Sequence, residues 1–230
     1  MILNKKIICI IPAKKTSVGL KNKNFKLIKG KPLYVHSIQL AKKCKLIDKI
    51  VVSSDSESIL EKSKKLKVSY LKRPSILATH NAQINDVIIH VLKNFNFKYK
   101  ILILLQPTTP IISTKELEKC LELIVKKNYN NVISIKEGNL TIEHLLEKNK
   151  KNLINHIVKS KNSFSSNRQY YKNYYRPSGD FYICKVKSFL KTKNFYSKNC
   201  YGFITKNRFS VDINHKNDID YLNFLLKRKR

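Results

Sequence analysis

The chain has 230 residues, of which 42% are hydrophobic and 10% aromatic, with only five glycines and six prolines. This length and composition predict a compact globular unit that buries its own core, and they exclude long flexible linkers. The formal net charge of +32 favours anionic ligands. Because lysines spread along the whole chain supply most of this charge, we expect anionic small molecules and no nucleic acid as partners, with a basic RNA-binding domain as the alternative.

Cysteine spacing and the lengths of the apolar runs bear on the cellular compartment. The five cysteines are far apart and include no C-x-x-C pair, so they predict free thiols and neither a zinc site nor a redox motif. Residues 1–6 are too short and polar for the apolar part of a signal peptide, and runs such as ILILL at 101–105 are too short to span a membrane. We therefore expect a cytoplasmic protein without membrane association.

Short apolar strands alternate with helical patterns along the first 135 residues. Strands are predicted at 7–11, 49–53, 68–71, 101–105 and 131–135, and helices near 32–44, 56–66, 83–95 and 113–127. Ser113 and Glu116 form the pattern of a capping box at the start of the last of these helices. The alternation is typical of an α/β fold with a mostly parallel sheet that helices cover on both faces.

The pattern breaks at about 138 and resumes at about 178. The interrupted region is polar and rich in Asn and Tyr, as in SSNRQYYKNYYRPSG. Beyond it, the sequence predicts a strand at 180–184, a helix from about 186, a strand near RFSVDI at 208–213 and a last helix to about 226. We therefore expect a single domain over 1–230 with an insertion at about 138–178, which covers one end of the sheet or contacts a neighbouring subunit.

The loop after the first strand, PAKKTSVGLKNKN, is rich in lysine and contains one glycine. In an open parallel sheet, ligands bind beyond the carboxyl ends of the strands, where such loops emerge. Backbone N–H groups near Ser17 and Gly19 can hold phosphate oxygens, and the nearby lysines supply positive charge. The loop has neither the P-loop nor the dinucleotide-binding glycine pattern. Composition alone leaves a phosphate site and an ordinary solvated loop as open interpretations.

Five segments that together span most of the chain are more specific. They are IPAKKTSVGLKNKN (11–24), VVSSDSESI (51–59), LKRPSILAT (71–79), LLQPTTP (104–110) and SVDINHKNDIDYL (210–222). In their order and spacing they resemble the signature segments of the acylneuraminate cytidylyltransferases. The resemblance implies a Rossmann-like, three-layer α/β nucleotidyltransferase domain, in which the insertion is a lid or dimerisation segment, and it implies a homodimer.

The resemblance also implies a reaction. CMP is transferred from CTP to the anomeric hydroxyl of a nonulosonic acid of the sialic, legionaminic or pseudaminic type, pyrophosphate is released, and Mg²⁺ is the cofactor. Because charge builds on phosphate oxygens during such a transfer, positioned cations are its main requirement. The family's catalytic positions correspond to Lys14, Lys23 and Asp212 in this sequence.

Nucleotide-binding positions follow from the same resemblance. They are Ser17, Gly19, Asn24, Arg73 and Gln106. The amide of Gln106 both donates and accepts hydrogen bonds, which suits the edge of a pyrimidine base. Two other interpretations stay open: Gln106 is merely exposed on a loop stiffened by prolines, and Arg73 pairs with a carboxylate at the end of the sheet.

The implied metal ligands are Asp212 and Asn214, near the end of the sequence. Mg²⁺ takes oxygen ligands and keeps most of its waters, so one or two carboxylates suffice when phosphates complete the shell. Asn214 stands where the family has Asp, and its amide oxygen contributes no negative charge. We expect Asp218 and Asp220 to lie at the start of the last helix, where acids interact well with the helix dipole.

The implied sugar-binding residues are Lys136, Arg168, Gln169 and Arg176, whose basic and amide groups would meet the sugar carboxylate and its substituents. Besides Asn214, several positions depart from the family pattern: Lys14 replaces an arginine, Ser178 an asparagine, Val18 a lysine, His80 an acid and Ile112 an arginine. These departures permit a divergent specificity or a loss of activity. The alternatives are therefore a Kdo or other sugar nucleotidyltransferase, and a catalytically impaired nucleotide-binding paralogue.

Overall fold

A computed structural model of the protein describes residues 6–17, 19–138, 142, 145–158, 172–207 and 209–228. The chain divides into two compact units, one formed by Met1–Ser134 with Ser178–Arg230 and the other by Ile135–Pro177. The second unit covers the region in which the sequence pattern breaks. Its role as a lid or dimerisation segment stays a prediction.

Eleven strands form within the described residues. In chain order they are β1 (Ile7–Pro12), β2 (Leu27–Ile28), β3 (Lys31–Pro32), β4 (Lys49–Ser54), β5 (Ser69–Lys72), β6 (Ile101–Leu104), β7 (Asn131–Glu137), β8 (Leu146–Lys148), β9 (Ile154–His156), β10 (Tyr175–Lys185) and β11 (Cys200–Ile204). A seven-stranded sheet has the order β11-β7-β10-β6-β1-β4-β5, and β2 with β3 and β8 with β9 form two-stranded sheets.

The large sheet is mostly parallel. β1 pairs in parallel with β4 and β6, so that Ile10 lies opposite both Val51 and Leu104. β5 pairs in parallel with β4, whereas β10 is antiparallel to β6. The predicted α/β fold with a mostly parallel sheet is confirmed. The reversed β10 was not visible in the sequence because a strand buried on both faces is apolar in either direction.

Six α-helices follow the strands in the described part of the chain. They are α1 (Leu33–Lys43), α2 (Glu57–Lys65), α3 (Ile84–Asn94), α4 (Thr114–Lys126), α5 (Val186–Thr192) and α6 (Lys216–Lys227). At the start of α4, the backbone N–H of Glu116 donates to the Ser113 hydroxyl, which satisfies one of the free amides of the first turn. The Ser113 half of the predicted capping box is confirmed, whereas the Glu116 carboxylate accepts from Thr205 and Lys206 instead.

The core lies on both faces of the central strands. Alternate residues of β1 (Ile7, Cys9 and Ile11) belong to an apolar cluster that also takes residues from α1 and α4. The intervening Ile8 and Ile10 are also fully buried and, because side chains alternate along a strand, they face the opposite side. This double burial explains the unbroken apolar run that marked the first strand.

One predicted strand is wrong. The segment near 208–213 was expected to be a strand, but 209–214 forms turn and loop structure, and the strand lies earlier, at Cys200–Ile204. The apolar residues of the predicted strand instead anchor a loop. Val211 and Ile213 are buried in a second small cluster with Ile28, Leu33 and Leu222. Apolar alternation in a short segment therefore served loop packing here.

Candidate active site

A cleft of about 190 Å³ opens where β1 and β6 end. Pro12, the last residue of β1, and Gln106, just past β6, both line it. Six of the residues expected to act on the nucleotide line this one cleft: Lys14, Ser17, Lys23, Asn24, Arg73 and Gln106. The position beyond the carboxyl ends of parallel strands is where open α/β sheets bind ligands.

Hydrogen bonds to neighbouring segments hold the loop after β1. The backbone N–H of Ala13 donates to Ser53 O at 2.9 Å, and that of Lys15 donates to Asp55 Oδ1 at 2.8 Å. Buried Asn24 donates its side-chain amide to Lys14 O at 2.7 Å. Asn24 thus fixes the loop backbone beside the cleft, a structural task that sequence reasoning did not assign to it.

Lys23 connects this loop to the far end of the chain. Its Nζ donates to Asn214 Oδ1 at 3.1 Å, and Asn214 Nδ2 donates in turn to Asp212 Oδ2 at 2.9 Å. Burial lowers the pKa of Lys23, and the nearby Asp212 carboxylate opposes that shift. The cation and the carboxylate expected to act on CTP therefore lie side by side, with the Asn214 amide between them.

The loop that carries Asp212 and Asn214 comprises residues 205–215, and we call it the Asp212 loop. Asp212 is exposed, whereas Val211 and Ile213 on either side of it are buried. The loop ends at α6, where the N–H groups of Asn214 and His215 donate to Asp218 Oδ2 at 2.8 and 2.7 Å. The predicted position of Asp218 at the start of this helix is confirmed.

The QPTTP loop and the Asp212 loop are directly joined. Ile213 N donates to Thr108 O at 2.8 Å. Gly179 lies beside both loops, since a Cβ atom at this position would be 2.8 Å from Thr109 Oγ1 and 3.9 Å from the Asp212 Cβ. With φ at +83°, Gly179 also has a backbone conformation that side chains disfavour. No other residue type fits between Thr109 and Asp212 without a shift.

Gly19 also lies close to the Asp212 loop. A Cβ atom added at Gly19 would lie 3.2 Å from Asn214 O, which is closer than an ordinary van der Waals contact. Gly19 is exposed and was expected to offer its N–H to a phosphate. The contact gives it a second task, because a small residue here allows the first loop to reach Asn214.

Arg73 is buried at the edge of the cleft. Its guanidinium donates from Nη2 to Ser53 O at 2.9 Å and from Nε to Ser53 Oγ at 3.3 Å, with a longer contact of 3.5 Å from Nη1 to Leu77 O. Burial lowers the pKa of Arg73, which the Asp55 carboxylate partly offsets. These three contacts use three of the five N–H donors, so two remain for a ligand in the cleft.

A Mg²⁺ ion fits this site in a limited way. One oxygen of Asp212 accepts from Asn214 Nδ2, which leaves oxygen capacity on an exposed carboxylate for a hard cation. Asn214 Oδ1 is used by Lys23. Among the described residues, no group of three or more His, Cys, Asp or Glu side chains is arranged to hold a metal. Asp212 can thus ligate Mg²⁺ when phosphate oxygens supply the rest of the shell.

The expected sugar-binding residues belong to the second unit. Lys136 lies on β7 and exposed Arg176 on β10, which are neighbouring strands of the sheet. Arg168 and Gln169 lie outside the described residues, as does Val18 of the first loop. For these residues, the roles implied by the family resemblance stay predictions.

Sequence reasoning missed the residues that attach the Asp212 loop to the sheet. Asp180 on β10 is fully buried and accepts a hydrogen bond from Ser210 at 2.5 Å. Burial raises the pKa of the Asp180 carboxyl to about 6, although hydrogen bonds from Ser210 and Thr205 oppose the shift. A signal was present, because an acid inside the apolar run GDFYIC requires a buried partner.

A parallel sheet with a lysine-lined cleft at its carboxyl ends is typical of nucleotide-binding α/β proteins. The family model described as cytidylyltransferase matches residues 8–227. The chain belongs to this cytidylyltransferase family, and the resemblance to acylneuraminate cytidylyltransferases is confirmed. In fold, it is similar to a CMP:2-keto-3-deoxy-manno-octonic acid synthetase solved in complex with CTP, with a TM-score of 0.71 at 12% identity over 98% of this chain and 100% of that one.

Sequence relatives agree with this assignment. The N-acylneuraminate cytidylyltransferase of Escherichia coli O18:K1:H7 is 26% identical over 95% of this chain, and the CMP-N,N'-diacetyllegionaminic acid synthase of Legionella pneumophila is 28% identical over 84% of each protein. The pseudaminic acid cytidylyltransferase of Campylobacter jejuni is 25% identical over 96% of this chain and 97% of its own length. The chain spans about half the length of the Escherichia coli protein, with 51% covered.

Proposed function

We propose that the protein is a Mg²⁺-dependent cytidylyltransferase that transfers CMP from CTP to the anomeric hydroxyl of a nonulosonic acid and releases pyrophosphate. The observation that carries the proposal is the adjacency of Lys23, Asn214 and Asp212 beside a cleft that Lys14, Arg73 and Gln106 also line. The family membership, and relatives named for sialic, legionaminic and pseudaminic acids, give the reaction class.

The base and the phosphates of CTP would occupy different parts of the cleft. Gln106, half-buried just past β6, would read the pyrimidine edge by donating and accepting hydrogen bonds. The remaining donors of Arg73 and the backbone near Ser17 and Gly19 would hold phosphate oxygens. Asn24, which is bonded to Lys14 O, would keep this loop in place while the nucleotide binds.

The reaction requires stabilised negative charge and no covalent nucleophile on the protein. Lys23 and Lys14 would neutralise the triphosphate and the departing pyrophosphate. Asp212 would hold Mg²⁺. When bound, the ion would act as a Lewis acid that stabilises negative charge on the phosphate oxygens. The Asn214 amide forms a hydrogen bond with Lys23 and another with Asp212 and lies between them. Lys23 therefore forms no direct ion pair with Asp212, and its charge stays available for the phosphates.

Lys136, Arg168, Gln169 and Arg176 are proposed to meet the carboxylate and substituents of the sugar acid, since basic and amide side chains suit an anionic, hydroxyl-rich substrate. A homodimer in the cytoplasm without a nucleic-acid partner is also proposed, on the resemblance and on the dispersed lysines. In the described part of the chain, no helix has the length and hydropathy needed to span a bilayer.

Pyrophosphate release tests the proposal. Each of the four nucleoside triphosphates is incubated with Mg²⁺ and with sialic, legionaminic, pseudaminic or Kdo acceptors, and release is expected only with CTP and a nonulosonic acid. Release with Kdo alone would favour the alternative sugar class. CTP binding without release would indicate an impaired paralogue, and salt-sensitive RNA binding without CTP binding would contradict the assignment.

A further inference from the structure

The Asp212 loop is fastened to the sheet through one buried carboxylate. Asp180 Oδ1 accepts from Ser210 Oγ at 2.5 Å, and Asp180 Oδ2 lies 3.1 Å from Thr205 Oγ1. Ser210 is two residues before Asp212, and Thr205 is at the beginning of the same loop. Asp180 thus contacts the loop at both ends of the segment that leads to Asp212.

A second carboxylate competes for the same hydroxyl. Thr205 Oγ1 lies 2.7 Å from Glu116 Oε2, which is closer than its 3.1 Å contact with Asp180. Glu116 Oε1 also accepts from Lys206 N at 2.9 Å, which fixes Glu116, from α4, against the loop. Two carboxylates from different elements therefore face one threonine.

Proton counting shows that this arrangement is incomplete when both acids are ionised. A threonine hydroxyl has one hydrogen to donate and two lone pairs that accept, and an ionised carboxylate only accepts. Thr205 already accepts from Asn207 N at 3.1 Å. If it donates to Glu116, its second lone pair can be used only by a proton on Asp180. One proton on either acid satisfies the shared hydroxyl, and the full burial of Asp180 against the partial exposure of Glu116 assigns that proton to Asp180.

We propose that Asp180 is a positioning residue for the Asp212 loop, and that it holds the loop through both Ser210 and Thr205 only when it carries a proton, which makes the placement of Asp212 dependent on pH. When Asp180 is ionised, Thr205 serves one carboxylate, and Asp180 keeps Ser210 and Asn207 as donors. This inference rests on the proposed function only where it links the loop to CTP.

The electrostatic surroundings of Asp180 agree with the geometry. Burial raises the pKa of Asp180 to about 6, and the Glu116 charge adds to that shift. The other side chains that act on Asp180 (Ser210, Thr205 and Asn207) are neutral donors that lower its pKa. No lysine or arginine within the described ranges pairs with Asp180. The proton on Asp180 is therefore lost between mildly acidic and neutral pH.

Carbon-13 NMR of the labelled Asp and Glu carboxyls tests the proton directly, with Asp180→Asn used to assign the Asp180 signal. The wild-type signal is expected to titrate near pH 6. In Glu116→Gln, the new amide donates to Thr205, which frees the threonine proton for Asp180, and the midpoint is expected to fall by about one pH unit. A wild-type midpoint near 4, or no change in Glu116→Gln, would overturn the proposal.

CTP affinity at pH 5 and pH 8 in the presence of Mg²⁺ tests the link to the site. The amide introduced by Asp180→Asn imitates the protonated acid, because it donates to Thr205 and accepts from Ser210. The ratio of the variant's affinity to that of the wild type is expected to rise from about one at pH 5 to about threefold to tenfold at pH 8. This ratio cancels the titration of CTP itself. A ratio that is independent of pH would overturn the proposal.

Two milder variants guard against loss of folding. Ser210→Ala removes the 2.5 Å hydrogen bond to Asp180 and is expected to weaken CTP binding at both pH values. In a Thr205→Val background, Asp180 has no shared hydroxyl. The CTP affinity of Asp180→Asn relative to Asp180 is then expected to be independent of pH. If the wild type bound no CTP, the proposed function would fail, but the NMR titration would still decide the protonation of Asp180.

Discussion

Lys23 Nζ and Asn214 Oδ1 lie 3.1 Å apart although 191 positions separate the two residues in the sequence. Through this hydrogen bond, a one-turn helix at Lys23–Phe25 meets the loop that carries Asp212. The contact brings Lys23, which lines the cleft, next to the loop that carries Asp212, a residue that does not itself line the cleft. Several consequences of this contact and its neighbours can be measured.

Replacing Lys23 by alanine should lower turnover on the order of 100-fold, because the lost ammonium group stabilises charge that grows on the phosphates. Lys21→Ala is the matched control, since Lys21 is exposed in the same loop and does not line the cleft. Steady-state pyrophosphate release measures both. Equal losses in the two variants would mean that general positive charge, and not the position of Lys23, matters.

Asn214→Asp should tighten the dependence on Mg²⁺, on the order of tenfold in the concentration required. The new carboxylate lies beside that of Asp212, with no amide proton between them, so a bridging cation becomes more favourable. It also raises the pKa of Lys23. Calorimetric titration of Mg²⁺ into the CTP complex measures the effect without turnover.

Asn217→Asp is the control for that experiment, because exposed Asn217 on α6 adds the same charge near the same loop. A matching shift in this variant would attribute the effect to net charge. No shift in Asn214→Asp would place residue 214 outside the metal shell.

Gly179→Ala should destabilise the fold by about 1–3 kcal/mol and displace the Asp212 loop, because its Cβ would meet Thr109 Oγ1 at 2.8 Å. Gly30→Ala is the matched control. Gly30 also has a positive φ (+71°), but no atom lies within 4 Å of the added Cβ, so this variant has the backbone strain without the steric clash. Denaturant unfolding and CTP affinity are measured for both. Only Gly179→Ala is expected to lose CTP affinity, and Thr109→Ala should partly restore it.

Folding stability should depend on pH through Asp180. Burial raises the pKa of the folded Asp180 carboxyl to about 6, above its usual value of 3.8, so between these values the folded protein holds a proton that the unfolded chain has released. Stability is therefore greatest below pH 4 for this group and falls as pH rises towards 6. Asp180→Asn removes the dependence and should exceed the wild type by up to about 3 kcal/mol at pH 8.

Thermal unfolding of both proteins between pH 4 and pH 8 measures this difference. If the wild type instead gained stability relative to Asp180→Asn as the pH rises, the predicted pH dependence would be contradicted. Such a result would mean that the ionised carboxylate is better solvated or better paired than its hydrogen bonds from Ser210 and Thr205 indicate.

The sequence predicted the parts of the fold that depend on local patterns. The five early strands, the cap at Ser113 and the grouping of Lys14, Lys23 and Arg73 at one end of the sheet follow from apolar runs and from loops at carboxyl ends. What it could not predict depends on contacts between distant segments. The direction of β10 and the tasks of Gly179 and Asp180 are set by neighbours far away in the sequence.

The misplaced strand at 208–213 has the same cause. Val211 and Ile213 alternate with polar residues as in a strand, but their apolar partners are Ile28 and Leu222 on separate elements. An alternating apolar pattern indicates which side chains are buried, but it does not show whether they are buried in a strand or in a loop. The hydrogen bond from Asn24 to Lys14 O was equally invisible, since a family motif names a residue without its backbone partner.

The bond between Lys23 and Asn214 also constrains when the site can form during synthesis. β1, β4, β5 and β6 are all complete by Leu104, so the parallel centre of the sheet can assemble on the ribosome while the segment with Asp212 is still untranslated. Until that segment emerges, Lys23 lacks the Asp212 carboxylate and the Asn214 amide beside it. A nascent chain stalled before Thr205 should therefore have a folded sheet and no competent nucleotide cleft.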